Sequence, residues 1–280
     1  MSAAEASGYI AVTEHIAESG VVVWWRLSGT IQWQDIHDAW VAAGLSEDSL
    51  PSKVTAAKAL GRAMQEQKEA HRLVRHLPGH KGYAIVDETA KADDLDYKTV
   101  CKVRLGETTQ TPIIEPMSHA CAGPIILGFY KHKDSLSQTD ISEWLTDRAR
   151  ALGAVSLRDT GGIYFIPRDS VAAWRKLKEM VKSVSAHFIA GLPAMSGPDA
   201  VEAIMDSLVQ ECATEAEKLE AELAEGDLGA VSLKNRIARV AQIEQKMSRY
   251  KAIFGVQKDS LDERLETLRA DLAVASMATT

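Results

Sequence analysis

At 280 residues, with 46% hydrophobic and 25% charged residues, the chain has the composition of a globular protein large enough for one sizeable domain or two smaller ones. Its formal net charge of −7 argues against wholesale wrapping of nucleic acid, and no uncharged apolar run reaches the ~18 residues of a membrane span. Three scattered cysteines, Cys101, Cys121 and Cys212, have no C-x-x-C or Cys/His spacing, which excludes a disulfide framework and a zinc knuckle and points to a reducing, cytoplasmic setting.

After a small, polar start, Val21 to Leu27 is rich in β-branched and aromatic residues and predicts a strand closed by Ser28-Gly29. Residues 30–43 read as a helix with Ile31, Ile36 and Trp40 on its apolar face and Gly44 as its stop. A second helix, residues 53–69, carries Val54, Ala57, Leu60 and Met64. Residues 71–77 and 83–88 read as strands joined by the turn Pro78-Gly79-His80-Lys81-Gly82. In a third strand, residues 97–105, Lys98, Lys102 and Arg104 alternate with Tyr97, Thr99, Cys101 and Val103, which predicts one basic face and one buried face. Helix, helix, hairpin is the element order of a winged helix.

Residues 106–123, with Pro112 and Pro116, read as a connecting loop. An α/β alternation follows: a strand at 125–131, a helix at 139–152 capped by Thr139 or Asp140, a buried strand at 162–167, a helix at 169–183 and a strand at 187–192. The expected fold is therefore α+β, a mixed sheet body with flanking helices. Residues 1–110 and 111–195 form its two packed subdomains, and residues 196–280 add a C-terminal antiparallel helical hairpin.

The hairpin rests on periodicity and charge. Leu233, Val240, Met247, Phe254, Leu261 and Leu268 recur every seven residues, with Ile237, Leu265 and Leu272 in a second seam, which predicts a coiled-coil-like helix over 233–272 with a weak point at Gly255. Residues 199–227 hold ten carboxylates and one lysine, whereas residues 233–251 hold six cations and one carboxylate. Joined by Gly226-Asp227-Leu228-Gly229, an acidic and a basic helix should fold back on each other. The second helix overhangs the first, so the stripe Phe254, Leu261, Leu265, Leu268 and Leu272 must bury on the chain's own body or on another subunit.

Chemical motifs are sparse. Asp87 followed by Asp96-Tyr97-Lys98 has the spacing of an Mg²⁺-dependent nuclease, and equally that of an acidic turn. No G-x-x-x-x-G-K-[ST], H-E-x-x-H or G-x-S-x-G is present, so no catalytic residue and no cofactor is expected. Basic residues do collect: Lys58 and Arg62 on the second helix, Arg72, Arg75 and Lys81 on the hairpin, Lys98 and Lys102 on the third strand, and Arg175, Lys178 and Lys182 on the helix after Pro167. Such a set could track phosphates.

Gly161-Gly162-Ile163-Tyr164-Phe165-Ile166-Pro167, followed by Trp174 and a basic helix, resembles a segment of uncharacterised bacterial and phage proteins, as does Leu60-Gly61-Arg62-Ala63 after Pro51. The resemblance spans about residues 20–190 and brings no catalytic residues with it. The expectation is thus a non-enzymatic assembly protein that self-associates, or docks a helical partner, through the hairpin stripe. The alternatives are a nucleic-acid-binding protein using the basic body and, third, the nuclease.

Overall fold

A computed structural model describes residues 18–69, 72–77, 82–91, 94–158, 162–224, 230–255 and 265–273. The chain divides into two compact units that cut across the three segments expected from sequence. One comprises Met1–Trp25, Thr146–Lys176 and Ile189–Thr280, the other Arg26–Leu145 and Leu177–Phe188.

The first unit is built on a sheet of β1 (Glu18–Arg26), β8 (Val155–Ser156), β9 (Ile163–Pro167) and β10 (Phe188–Met195), in the order β10-β1-β9-β8. With α4 (Gln138–Ala151) before β8 and α5 (Val171–Ser183) before β10, the chain order is β-α-β-β-α-β, a split β-α-β arrangement. Residues 27–137 are inserted between its first strand and first helix. β1 and β9 are antiparallel, with Val22 opposite Phe165 and Val23 opposite Tyr164. Alternation then sorts the two faces. Trp25 and Tyr164 stack at 5.2 Å, with Trp174 of α5 at 6.1 Å from Trp25 and the Thr146 hydroxyl of α4 at 3.2 Å from the Tyr164 phenol. On the opposite face Val22, Phe165, Val155 and Ala194 join one core with α6 (Pro198–Ala224) and α7 (Ala230–Phe254).

Charge fixes the pairing of α6 and α7 as expected. Arg236 reaches Glu222 at 2.9 Å, Arg239 donates to Glu215 and Glu222, and Lys246 reaches Glu211 at 2.6 Å. The seams differ from the expected ones. Leu233, Val240 and Met247 are buried, but the second row steps by three residues to Ile243 and Tyr250, leaving Ile237 43% exposed. Glu244 and Lys251, which the seven-residue repeat would place in the second seam, therefore lie off it.

Gly255 ends α7 instead of kinking it. Its φ of +68° is a left-handed helix stop that glycine adopts without steric cost, and its N–H closes on the Lys251 carbonyl at 2.8 Å. Helical residues 265–273 return along the pair, with Arg269 at 3.8 Å from Glu244. A straight helix would hold those two residues roughly 38 Å apart. Among the described residues the stripe does not overhang: Leu265, Leu268 and Leu272 are buried in the same core as α6 and α7, and Phe254 packs half-buried against it. Of the two destinations open to the stripe, the described residues take the chain's own core. Leu261 lies outside the described residues.

The helix pair also clothes the short edge strand β8. Tyr250 donates to the Gly153 carbonyl at 2.8 Å, Lys246 to the Ala154 carbonyl at 2.7 Å and Arg249 to the Leu152 carbonyl at 3.0 Å, while Ser156 N–H donates to Glu211 at 3.3 Å. Edge backbone that would otherwise template another strand is thereby satisfied by side chains.

The second unit carries a four-stranded antiparallel meander: β3 (Arg72–Leu77), β4 (Gly82–Lys91), β5 (Asp94–Leu105) and β6 (Pro112–Glu115), in the order β3-β4-β5-β6. Its core face presents Ile85, Cys101, Val103 and Ile114. With it go α1 (Trp33–Ala42), α2 (Ala56–Gln65) and α3 (Ala122–Asp134), and the small pair β2 (Ile31–Gln32) and β7 (Ser135–Leu136). α2 is capped by Thr55, whose hydroxyl accepts the Lys58 N–H at 3.2 Å.

α3 overturns the strand expected over 125–131. A short apolar run does not separate the two periodicities, but burial at Ala122, Ile125 and Phe129, against 72% exposure at Leu127, follows a helical step. Gly128 lets α3 lie close to α2, since a Cβ there would stand 3.2 Å from the Ala63 Cβ. The cap of α4 is likewise one residue set earlier than expected. Ser137 Oγ accepts the Asp140 N–H at 3.3 Å and Asp140 accepts the Ser137 N–H at 2.8 Å, a reciprocal capping box.

Candidate nucleic-acid interface

The outward face of the β3–β6 sheet brings Arg75, Lys102 and Arg104 together. Register places Arg75 opposite Ala84, Ala84 opposite Lys102 and Lys102 opposite Glu115, so these four form one row across the sheet. Strands lie ~4.8 Å apart, which sets Arg75 and Lys102 roughly 10 Å from each other across the small Ala84. Arg104 follows two residues along β5 on the same face, beside Gly82. All three cations are exposed. Arg75 and Lys102 have no side-chain partner among the described residues, and Arg104 meets Glu115 at 3.6 Å with both side chains more than half exposed, a weak pair. Ala84 and Gly82 between the cations are small and buried.

A bulge decides which lysines belong there. Ile85 pairs with Cys101 but Val86 pairs with Thr99, so Val100 is skipped and the alternation reverses. Lys98 is therefore turned away from Lys102 and Arg104, correcting the single basic face expected from strict alternation. It stands opposite Asp87, which Arg72 also approaches at 3.6 Å; Arg72 in turn reaches Glu69 at 3.0 Å.

The two cations of the second helix are taken up within the chain. Lys58 and Arg62 both close on Asp140, at 2.7 Å each, and Arg62 also donates to Ser137 at 3.0 Å. Burial would raise the Asp140 pKa, but Lys58, the Ser137 N–H and Arg62 outweigh it and pull the carboxyl down to about 2. These two cations are spent on holding α2 to the start of α4. A winged helix also needs its helices ahead of the wing, whereas α3 follows the sheet. Arg175 lies 3.8 Å from Glu18, and Lys182 is exposed with Lys178 half-buried on the same helix. Lys81 lies outside the described residues.

The nuclease carboxylates sit in the β4–β5 ladder, where Asp87 faces Lys98 and Asp96 faces Thr89. Among the described residues no group of three His, Cys, Asp or Glu is placed to hold a metal ion. Cys101, Cys121 and Cys212 are buried free thiols, and burial pushes Cys212 up to about 11. A groove of about 1440 Å³ in the first unit is walled by α6 and α7, but Lys246, Arg239 and Arg249 along it are engaged with Glu211, Glu215 and Asp169.

Two features of the basic row were not legible beforehand. Glu115 lies on β6, a four-residue strand inside the stretch that reads as a loop. The bulge at Val100 has no glycine to mark it.

Among the described residues no helix is long and apolar enough to cross a membrane. No curated protein and no solved structure matches the chain. Residues 20–280 match a family of unknown function, DUF6744, and the chain belongs to that family.

Proposed function

We propose that the protein binds single-stranded nucleic acid on the outward face of its four-stranded sheet. The observation that carries this reading is the row Arg75–Ala84–Lys102 with Arg104 beside it: cations left without strong partners while their neighbours on α2 are all paired. Cations at this spacing suit successive phosphates, and the contact would be electrostatic and salt-dependent. A single strand fits better than a duplex. The major groove, ~12 Å wide, admits a helix or a two-stranded ribbon, and four strands are broader than that.

The overall charge of −7 makes this a local patch, so affinity should be moderate and fall steeply with salt. The test is fluorescence anisotropy of a labelled single-stranded DNA oligonucleotide against salt concentration. Arg75→Ala, Lys102→Ala and Arg104→Ala should each weaken binding and lower the salt slope by about 0.7. Binding that is absent from the wild type, or that survives all three substitutions together, refutes the reading.

Self-association through the hairpin stripe has less support. Leu265, Leu268 and Leu272 already have partners within the chain.

A further inference from the structure

The β4–β5 hairpin outruns the sheet that it belongs to. Among the described residues β3 accompanies β4 over Gly82–Asp87, and β6 accompanies β5 over Lys102–Leu105. Beyond them the described residues show 88–91 and 94–97 paired with each other alone. Every residue from Asp94 to Thr99 is exposed, with Leu95 at 47% and Tyr97 at 51%. Along Asp94 to Val100 the outer edge of β5 carries no further strand among the described residues. A two-stranded ribbon of this kind is marginally stable in water, and its open edge is a template for another strand.

The order of side chains on that edge is self-complementary. When two copies run antiparallel about a twofold axis through Tyr97, Asp96 of each faces Lys98 of the other, Leu95 faces Thr99 and Tyr97 faces Tyr97. Residues directly opposite in an antiparallel pair share a face. Both opposite-charge pairs therefore fall on one side of the joined sheet, and Leu95, Tyr97 and Thr99 on the other. Neighbouring registers are worse: an axis through Asp96 makes two Asp94–Lys98 pairs but sets two carboxylates against each other between them, an axis through Lys98 sets two ammonium groups, and an axis through Leu95 pairs Asp94 with Asp96. The contact is isologous, so it closes at two copies.

We propose that the chain forms a twofold dimer by antiparallel pairing of the β5 edge about Tyr97, joining two four-stranded sheets into one. The interface is a strand edge and a few side chains, so the dimer is weak and concentration-dependent. It does not depend on nucleic-acid binding, since Arg75, Lys102 and Arg104 lie outside the paired segment.

The experiment is sedimentation equilibrium of the full chain, freed of nucleic acid, over a range of concentrations. The wild type should move from one to two chains per particle. Asp96→Lys places like charges opposite each other twice and should weaken the dimer about tenfold. Tyr97→Arg puts two guanidinium groups on the axis and should do the same. The exchange Asp96→Lys with Lys98→Asp returns opposite charges to facing positions and should restore the dimer. Thermal melts of each variant separate a weaker dimer from a weaker fold, and the Tyr97→Arg main transition should stay in place because that side chain is 51% exposed. A wild type that stays monomeric, a dimer indifferent to Asp96→Lys and Tyr97→Arg, or an exchange that fails to restore it overturns the proposal.

Discussion

The phenol of Tyr250 donates to the backbone carbonyl of Gly153 at 2.8 Å, tying the middle of α7 to the turn that precedes β8. Tyr250 is fully buried, and burial drives its pKa far upward, so it stays a neutral donor at any physiological pH. Tyr250→Phe keeps the ring against Phe165, 6.0 Å away, and strands the Gly153 carbonyl. It should cost about 1–2 kcal/mol, whereas Tyr250→Ala should cost about 3–5 kcal/mol through the added cavity. Urea unfolding followed by far-UV circular dichroism separates the two, and a Tyr250→Phe variant as stable as the wild type would show that the hydroxyl contributes nothing.

Asp140 makes a pH-dependent contribution of definite sign. Its pKa falls from 3.8 in the unfolded chain to about 2 in the folded one. The carboxylate therefore stabilises the fold fully above pH ~3.8, and that stabilisation drains away as pH drops toward about 2. Its side chain is 9% exposed but Lys58 is 46% exposed, so solvent screens part of the pair. Asp140→Asn should cost about 2 kcal/mol at neutral pH, because Arg62 loses its counter-charge and α4 its capping box. The same variant should show a flatter acid limb in the unfolding midpoint.

His187 works near neutrality in the same direction. It is 3% exposed and accepts the Ser28 N–H on Nδ1 at 3.2 Å, which leaves the neutral ring with its proton on Nε2. Burial holds its pKa below 6.5, against the small opposing effect of that bond. Between 6.5 and the lower folded value the unfolded chain binds the extra proton, so stability falls as pH decreases through this window. Urea midpoints measured from about pH 5 to about pH 7.5 should slope for the wild type and flatten for His187→Gln. An unchanged slope in the variant assigns the effect to another group.

Elements with long, regular patterns were legible in the sequence. The strand around Val23, the helix carrying Trp174 and the charge-matched α6–α7 pair all stand where periodicity and charge put them. What escaped was set by tertiary contact. β8 is two residues long and exists because Val155 pairs with Phe165. α3 carries an apolar run that fits either a strand or a helix until Ala63 and Gly128 bring two helices together. Gly255 reads as a flaw in one long helix, yet at φ +68° it ends α7, and no local pattern distinguishes a kink from a stop. At the candidate site the cations were visible, but their sorting was not. Asp140 claims Lys58 and Arg62 from 78 residues away or more, and a bulge turns Lys98 off the face that holds Lys102.

Because β1 belongs to a sheet whose other strands lie beyond a whole inserted unit, its partners are made late. Ser19 bonds the Ala194 carbonyl across 175 residues. At ribosomal rates of ~5–20 residues per second, β1 leaves the ribosome roughly 10–35 s before that partner exists. Meanwhile the inserted unit, whose strands are sequential neighbours, can close on itself through short hairpins. The nascent chain thus has a built-in order of events: the insert can set first, and Val21 to Trp25 stay exposed and chaperone-accessible until about two thirds of the protein has been synthesised.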